Sequence, residues 1–105
     1  MEHQRWAASI CEAIRTRRML EFDYHGKRRV VHPYCHGVTP KGNETLRAIQ
    51  VSGAAGSRGI TSGKLWTIGE IERLRVLDET FRPDDPNYNP ADSAMAEIHC
   101  RVERP

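Results

Sequence analysis

The spacing of apolar residues changes once along this chain, from a helical period near its start to a strand period afterwards. A helical face is formed by Trp6, Ile10, Ala13 and Ile14. The next apolar residues alternate with polar ones at Leu20, Phe22 and Tyr24. Intervals of three and four predict an amphipathic helix over residues 3–18, and strict alternation predicts a half-buried strand. The chain is therefore expected to form one helix followed by β-structure.

A two-residue turn signal follows the first predicted strand. His25-Gly26 is suited to a tight hairpin turn, after which a second strand is predicted over residues 27–34. In the simplest register Asp23 faces Arg28, which is a favourable cross-strand pair. The local sequence thus predicts both a hairpin and its register.

Later strands are predicted in the same way from alternation and turn residues. The sequence predicts a turn at 40–43, strands at 44–51 and 64–68, a helical turn running into a strand within 70–78, and a final half-buried strand at 96–102. The Gly- and Ser-rich residues 52–63 are expected to form a flexible hairpin connection, because their spacing lacks the glycine and hydroxyl positions of a P-loop. In the Pro-rich segment before the last strand, Tyr88 is the only sizeable anchor.

One helix followed by about five short strands indicates a mainly β domain of the α+β type, a small barrel or rolled sheet. A chain of 105 residues is long enough for one such domain. We therefore divide residues 1–105, as one domain, into a helix at 3–18, a barrel at 19–82, and a Pro-rich segment with the final strand at 83–105.

The basic residues are strongly biased towards arginine, although the net charge is only +2. Thirteen of the sixteen are arginine, whose planar fork of donors suits phosphate, carboxylate and aromatic faces. A high-arginine genome would produce the same bias without functional meaning. The near-neutral total argues against non-specific coating of a polyanion, so individual arginines have to be considered.

Compartment signals point to the cytoplasm. Apolar stretches are too short for a membrane span, and the first ten residues lack the apolar core of a secretory signal. The three cysteines, Cys11, Cys35 and Cys100, are odd in number and widely spaced, which favours reduced thiols over a disulfide framework. We therefore expect a cytoplasmic protein that does not associate with membranes.

An ordered series of short motifs covers roughly residues 8–82. The series is Ile10-x-x-Ala13-Ile14-x-x-Arg17-Arg18, Leu20-x-Phe22-x-Tyr24, Arg29-Val30-Val31-His32-Pro33-Tyr34, Leu46-x-Ala48, and Ile71-x-x-Leu74 ending in Phe81. It resembles the WYL domain of bacterial transcription regulators. The resemblance implies an SH3-like, Sm-like β barrel preceded by a helix, which senses ligands such as single-stranded DNA and switches a regulator.

Two family motifs are altered in this chain. The Trp-Tyr-Leu tripeptide that names the family aligns with residues 44–46, where only Leu46 is retained. The family's Phe-Arg-Leu-Asp-Arg-Ile signature aligns with residues 66–71, so its two arginines are replaced by Thr67 and Glu70. A helix-turn-helix is also missing, since one helix followed by strands leaves no place for it.

Strand arginines and aromatic residues form the predicted ligand site, which comprises Arg29, Arg47, Tyr34, Arg28, Tyr24 and Trp66. Arginine forks can hold phosphates while aromatic rings stack bases, as in single-strand binders built on small barrels. In a purely structural alternative, Arg28 pairs with Asp23, Arg47 pairs with Glu44 or Glu21, and the aromatic rings fill the core. The sequence leaves both possibilities open.

Histidine and cysteine residues do not have the spacing of a metal site or a catalytic dyad. The candidates are His32, Cys35, His36, His99 and Cys100. Structural zinc sites use paired spacings such as Cys-x-x-Cys, and on an alternating strand Cys35 faces away from His32 and His36. We therefore predict no metal, no cofactor and no catalytic residue, so the protein is not expected to be an enzyme.

The leading function is that of a non-enzymatic, ligand-sensing regulatory domain of the WYL type. Its expected ligand is a single-stranded nucleic acid fragment or another anionic small molecule. The alternative is a protein interaction module, a barrel that has lost its ligand arginines and forms a homodimer or docks on a separate regulator. Thr67 and Glu70 favour this alternative.

Overall fold

The computed structural model describes residues 2–53, 64–83 and 88–103, with side chains except at 2–5 and 52–53. Within these ranges the strands form a six-stranded antiparallel sheet, preceded by a helix. The elements are α1 (Glu2–Thr16), β1 (Arg18–Tyr24), β2 (Lys27–Val38), β3 (Glu44–Gly53), β4 (Lys64–Thr67), the 3₁₀ helix η1 (Ile68–Glu70), β5 (Ile71–Thr80) and β6 (Glu97–Arg101). The prediction of a mainly β fold with one N-terminal helix is confirmed.

The helix α1 packs on the sheet through the face that its periodicity predicts. Ile10, Ala13 and Ile14 are fully buried. At the start of the helix the indole N–H of Trp6 donates a hydrogen bond to the carbonyl oxygen of Ile71, at 3.0 Å. The helix is thus fixed both by apolar burial and by a polar contact with the first residue of β5.

Arg17 ends the helix two residues earlier than predicted. Its φ of 58° lies in the left-handed region, and Arg18 already begins β1. Of the three arginines in residues 15–18, only Arg15 occupies the last helical turn, where it pairs with Glu12 at 2.7 Å. The Arg17 guanidinium instead donates to the carbonyl oxygen of Glu103, at 3.2 Å. The helical spacing of apolar residues does not predict that the chain changes direction at Arg17.

The β1–β2 hairpin forms with the predicted turn and register. His25 and Gly26 have φ values of 53° and 79°, as a two-residue turn of type I′ requires. Asp23 faces Arg28 across the two strands. Local sequence therefore fixes this part of the sheet.

The central strand, β2, continues to Val38, four residues beyond its predicted end. Along one edge it pairs with β3; along the other its first half pairs with β1 and its second half with β6. Gly37 permits the approach of β6, since a Cβ there would lie 2.2 Å from the carbonyl oxygen of Glu97. Beyond its predicted end, β2 thus pairs with β3 along one edge and with β6 along the other.

The sheet is not closed. Its strand order is β4-β3-β2-β1-β5, with β6 beside β2, so the end strands β4 and β5 do not pair with each other in the described ranges. At one end, β4 is only four residues long and pairs with β3 alone. The expected closed barrel is therefore not seen.

The predicted helical turn lies slightly earlier than residues 70–78. It is the 3₁₀ helix η1 at 68–70, and β5 then runs for ten residues. Ile68 and Ile71 are both buried, so the tight turn places both of them in the core. The interpretation as a helical turn followed by a strand is thus correct in kind, and the strand begins at Ile71.

The C-terminal part of the chain pairs with the second half of β2 and packs against it. Tyr88 is buried, as predicted, and donates its hydroxyl to the carbonyl oxygen of Val102, at 2.8 Å. The last strand, β6, is half-buried, with Ile98 and Cys100 facing inward. The core between α1 and the sheet comprises Ile10, Ala13, Ile14, Leu20, Phe22, Tyr24, Val31, Tyr34, Leu46, Ala48, Ile49, Trp66, Ile68, Ile71, Phe81, Tyr88 and Val102.

A disulfide joins Cys11 in α1 to Cys100 in β6, with 5.7 Å between their Cα atoms. The expectation of three reduced thiols is therefore wrong for this pair, whereas Cys35 is free and buried. The two cysteines meet because α1 packs beside the last strand, a contact between distant parts of the chain that cysteine spacing does not report.

Residues 54–63, which include most of the predicted loop, lie outside the described residues. Within the described ranges, no helix has both the length and the apolar character needed to cross a membrane.

Candidate functional site

Arg29 lies in the first half of β2 and reaches towards the aromatic core. Its Nη2 donates to the carbonyl oxygen of Tyr24 and its Nη1 to the Oε1 of Gln50, both at 3.2 Å. The guanidinium carbon lies 5.5 Å from the ring centroid of Trp66 and 6.0 Å from that of Tyr24. Such cation–π contacts hold a half-buried cation in place. The Nε of Arg29 is buried without a hydrogen-bond partner in the described structure.

A second cation, Lys64, also lies over the ring of Trp66. Its Nζ is 4.5 Å from the ring centroid of Trp66. Trp66 is fully buried and donates its indole N–H to the carbonyl oxygen of Ala48, at 3.2 Å. Because nothing of Trp66 is exposed, a base cannot stack on it in this arrangement. The cations, rather than the ring, are what this site presents.

Tyr24 completes the cluster from β1. Its ring packs edge-on against Trp66, with 4.9 Å between centroids, and stacks on His25 at 4.3 Å. Its hydroxyl accepts a hydrogen bond from the backbone N–H of Thr67, at 3.1 Å. His25 in turn contacts the carboxylate of Glu70. Thr67 and Glu70 thus border the same Tyr24–His25 pair.

Arg29 and Lys64 differ from the arginines on the neighbouring surface in their contacts with acidic side chains. Neither contacts an acidic group among the side chains that the structure describes, at 6–51, 64–83 and 88–103. Arg28, the adjacent residue on β2, contacts Glu21 at 3.2 Å and Asp23 at 3.3 Å. Arg29 and Lys64 are therefore two cations at the Trp66 ring that no described acidic side chain neutralises.

The surface around Arg28 is an ion-pair network. Arg73 contacts Asp23 at 2.7 Å, and Arg75 contacts Glu21 at 3.4 Å. The hydrogen bond from Arg73, followed by that from Arg28, holds the pKa of the Asp23 carboxyl below its usual value. The predicted pairing of Arg28 with Asp23 is confirmed, and Arg28 lies outside the cluster around Trp66.

Arg47 pairs with Asp92, a residue that the sequence analysis did not consider as its partner. Its Nε and Nη2 donate to the two carboxylate oxygens of Asp92, at 2.8 and 3.0 Å. The bidentate partner is thus Asp92, whereas the sequence suggested Glu44 or Glu21. The hydrogen bond from Arg47 holds the pKa of the Asp92 carboxyl below its usual value. Asp92 also accepts the backbone N–H of Ala94, at 3.0 Å, so the pair fastens the C-terminal segment to β3.

Tyr34 lies in another part of the core. It is buried and packs against Phe81 and Tyr88, with ring centroids 5.6 and 5.0 Å away. Of the six predicted site residues, the structure brings together Arg29, Tyr24 and Trp66, and it places Arg28, Arg47 and Tyr34 elsewhere. Sequence reasoning missed Lys64, although its position two residues before Trp66 puts both on one face of a strand.

A separate polar cluster surrounds the disulfide. The Nδ1 of the buried His36 lies 3.5 Å from the Sγ of Cys11 and 3.8 Å from the Sγ of Cys100. On the other side of the ring, Nε2 lies 3.2 Å from the Oε1 of Glu44. Burial lowers the pKa of His36 below its usual value, and the Glu44 hydrogen bond opposes this only in part. His36 is therefore a neutral imidazole with a carboxylate on one nitrogen and two sulfurs beside the other.

Of the other four metal candidates, Cys100 belongs to this cluster, and the ring centroid of His99 lies 5.0 Å from that of His36. The remaining two, His32 and Cys35, lie elsewhere. The ring of His32 stacks on Phe81, with 4.5 Å between centroids. Cys35 is buried, and its Sγ lies 3.8 Å from the Sδ of Met95. Burial raises the pKa of the Cys35 thiol to about 11, so it is protonated at neutral pH and unsuited to act as a nucleophile.

The chain was compared with protein-family models, curated proteins and solved structures, and none of these comparisons finds a match.

Proposed function

We propose that this protein is a non-enzymatic, cytoplasmic regulatory domain of the WYL type that binds a phosphate-bearing ligand through Arg29 and Lys64. The observation that carries the proposal is the pair of cations on the Trp66 surface without an acidic partner in the described ranges. Charges that leave water are normally paired, so the half-buried guanidinium of Arg29 favours an anion from outside the chain, and the Lys64 ammonium at the same ring would add to this attraction. Single-stranded nucleic acid is the candidate ligand.

The WYL resemblance supports this location. Thr67 and Glu70 occupy the signature's arginine positions, and both border the Tyr24–His25 pair beside Arg29. In this proposal Arg29 and Lys64 supply the positive charge that the signature arginines would have supplied. For the finer fold we propose a small SH3-like or Sm-like barrel that remains open between β4 and β5; the β1–β2–β3 meander and the pairing of β5 with β1 support it. The domain would act on a separate regulator protein.

Binding of a labelled single-stranded oligonucleotide, followed by fluorescence anisotropy at several salt concentrations, tests the proposal. We expect micromolar or tighter binding at low salt. If two phosphates are neutralised, log K should fall with log salt with a slope of about −1.4, and Arg29→Ala or Lys64→Ala should reduce that slope by about 0.7. Lys64 is exposed, so Lys64→Ala is expected to leave the fold intact.

Arg28→Ala is the matched control, because it removes a neighbouring arginine that Glu21 and Asp23 already neutralise. It should leave affinity and slope nearly unchanged. If the protein does not bind at low salt, the nucleic-acid proposal fails. If Arg28→Ala weakens binding as much as Arg29→Ala and Lys64→Ala do, the site is wrong.

A protein interaction module is the second candidate. The specific observation in its favour is the open edge of β5, a ten-residue strand that pairs only with β1 in the described structure. An unpaired edge can add a strand from a second chain. Light scattering after size exclusion should then detect a homodimer, whereas a monomer at all concentrations would contradict self-association.

A further inference from the structure

We propose that, once the Cys11–Cys100 disulfide is reduced, the protein binds one Zn²⁺ ion through the Sγ atoms of Cys11 and Cys100 and the Nδ1 of His36. This site is distinct from the Arg29–Lys64 cluster, since Arg29 lies in the first half of β2 and His36 in the second. All three donor atoms lie within 4.8 Å of one another.

The distances to His36 fit a tetrahedral metal centre. Bond lengths of about 2.3 Å for Zn–S and about 2.0 Å for Zn–N place sulfur and nitrogen ligands about 3.5 Å apart. In the structure His36 Nδ1 lies 3.5 Å from one sulfur and 3.8 Å from the other. The imidazole is therefore already positioned relative to both sulfurs as a zinc ligand would be.

Glu44 fixes the ring of His36 in the form that a metal requires. A carboxylate only accepts hydrogen bonds, so the ring nitrogen facing Glu44, Nε2, carries the proton. The lone pair of a neutral imidazole is then on Nδ1, the atom that faces Cys11 and Cys100. A carboxylate behind a ligating histidine is the usual outer partner in zinc sites.

The charge of the three ligands and the accessibility of the site also suit a zinc ion. Two thiolates neutralise Zn²⁺, so the half-buried site needs no further acidic group, and a water molecule completes the coordination. Cys11 and Cys100 are half-buried while His36 is buried, so a reductant and the ion would approach the cluster from the cysteine side. The same three residues come from α1, β2 and β6, so the ion would join the elements that the disulfide joins.

The reaction balances with a dithiol as reductant. One of its thiolates attacks a disulfide sulfur and forms a mixed disulfide, and its second thiol then displaces the protein sulfur. The dithiol becomes a disulfide, and the protein gains two electrons and two protons as two thiols. Zn²⁺ then displaces both thiol protons to solvent and binds the thiolates. Disulfide and zinc are mutually exclusive, because a bonded sulfur is not a thiolate.

Metal titration of the full chain tests the proposal. Reduced, metal-free protein is titrated with Zn²⁺ in competition with a chromophoric chelator, and with Co²⁺ to record the absorption of a tetrahedral thiolate site. We expect one ion per reduced chain and none per oxidised chain. The oxidised wild-type protein is a control that requires no mutation.

Variants identify the ligands. Glu44→Gln should weaken zinc binding roughly 10–100-fold, and Cys11→Ser, Cys100→Ser and His36→Gln should weaken it further and abolish the Co²⁺ thiolate spectrum. Cys35→Ala, which removes the third cysteine, should bind like the wild type. Because the His36 variant removes a buried ring, the two serine variants decide the result if it fails to fold. Equal binding by the oxidised protein, no binding by the reduced protein, or unchanged binding in the double Cys11→Ser, Cys100→Ser variant would overturn the proposal.

Discussion

Reducing the Cys11–Cys100 disulfide should remove a large part of the protein's stability. The bond joins residues 89 positions apart, so it closes most of the chain into one loop. In the chain-entropy model a loop of this length lowers the entropy of the unfolded chain by about 15 cal/mol/K, which is about 4.6 kcal/mol at 25 °C. The packing of α1 and the pairing of β6 remain after reduction, so the difference arises mainly in the unfolded state.

Urea denaturation of the oxidised and reduced protein measures this contribution. A chelator is present in both samples, because zinc would otherwise re-join α1 and β6. We expect the free energy of unfolding to fall by about 3–5 kcal/mol on reduction, and the melting temperature to fall by roughly 15–25 °C. Cys35→Ala should show the same change on reduction, since Cys35 takes no part in the bond.

Thiol titration of the unfolded, unreduced protein should detect one free thiol, that of Cys35. A difference below about 1 kcal/mol between the oxidised and reduced proteins would refute the loop-entropy reasoning. Three free thiols in the unreduced protein would refute the disulfide itself.

Two further predictions concern the C-terminal part of the fold. Gly37→Ala would place a Cβ 2.2 Å from the carbonyl oxygen of Glu97, so it should displace β6 and lower the free energy of unfolding in urea by roughly 2–4 kcal/mol. Gly69→Ala, which meets nothing within 4 Å, should change it by less than about 0.5 kcal/mol, and equal losses would contradict the clash. Arg47 lowers the folded-state pKa of Asp92, so this contribution is present above the unfolded value of about 3.9 and is lost as pH falls through the lowered pKa. Asp92→Asn should cost about 1–3 kcal/mol at neutral pH and make stability less dependent on pH below about 4; an unchanged pH profile in denaturant titrations would show that the pair contributes little.

The sequence was sufficient to predict features that depend on residues within one helix or one hairpin. The periodicity of α1 identifies its buried face, and His25-Gly26 determines the hairpin turn and the register that places Asp23 opposite Arg28. The alternation of β1 likewise places Tyr24 inward. These features depend on interactions between residues that are close in sequence, so local patterns are sufficient to predict them.

Pairs of distant residues could not be predicted. Arg47 meets Asp92 across 45 residues, because the segment before β6 folds back onto β3. Cys11 and Cys100 meet because α1 packs beside β6, and no spacing rule in either segment indicates this. The candidate ligand site shows the same limit: the sequence named Arg29 and Trp66 as site residues, but only the fold shows that the Arg29 guanidinium lies over the buried Trp66 ring.

Because three strands pair with β2, different parts of the sheet should unfold at different free-energy costs. β1, β3 and β6 all hydrogen-bond to this strand, so freeing it breaks most of the sheet, whereas releasing β6 exposes only the second half of one edge. In hydrogen exchange, the amides of β2 that face β3 should therefore exchange only through global unfolding, and those of β6 through smaller openings. The covalent link from β6 to α1 makes those two elements one cooperative unit, although they stand at opposite ends of the sequence.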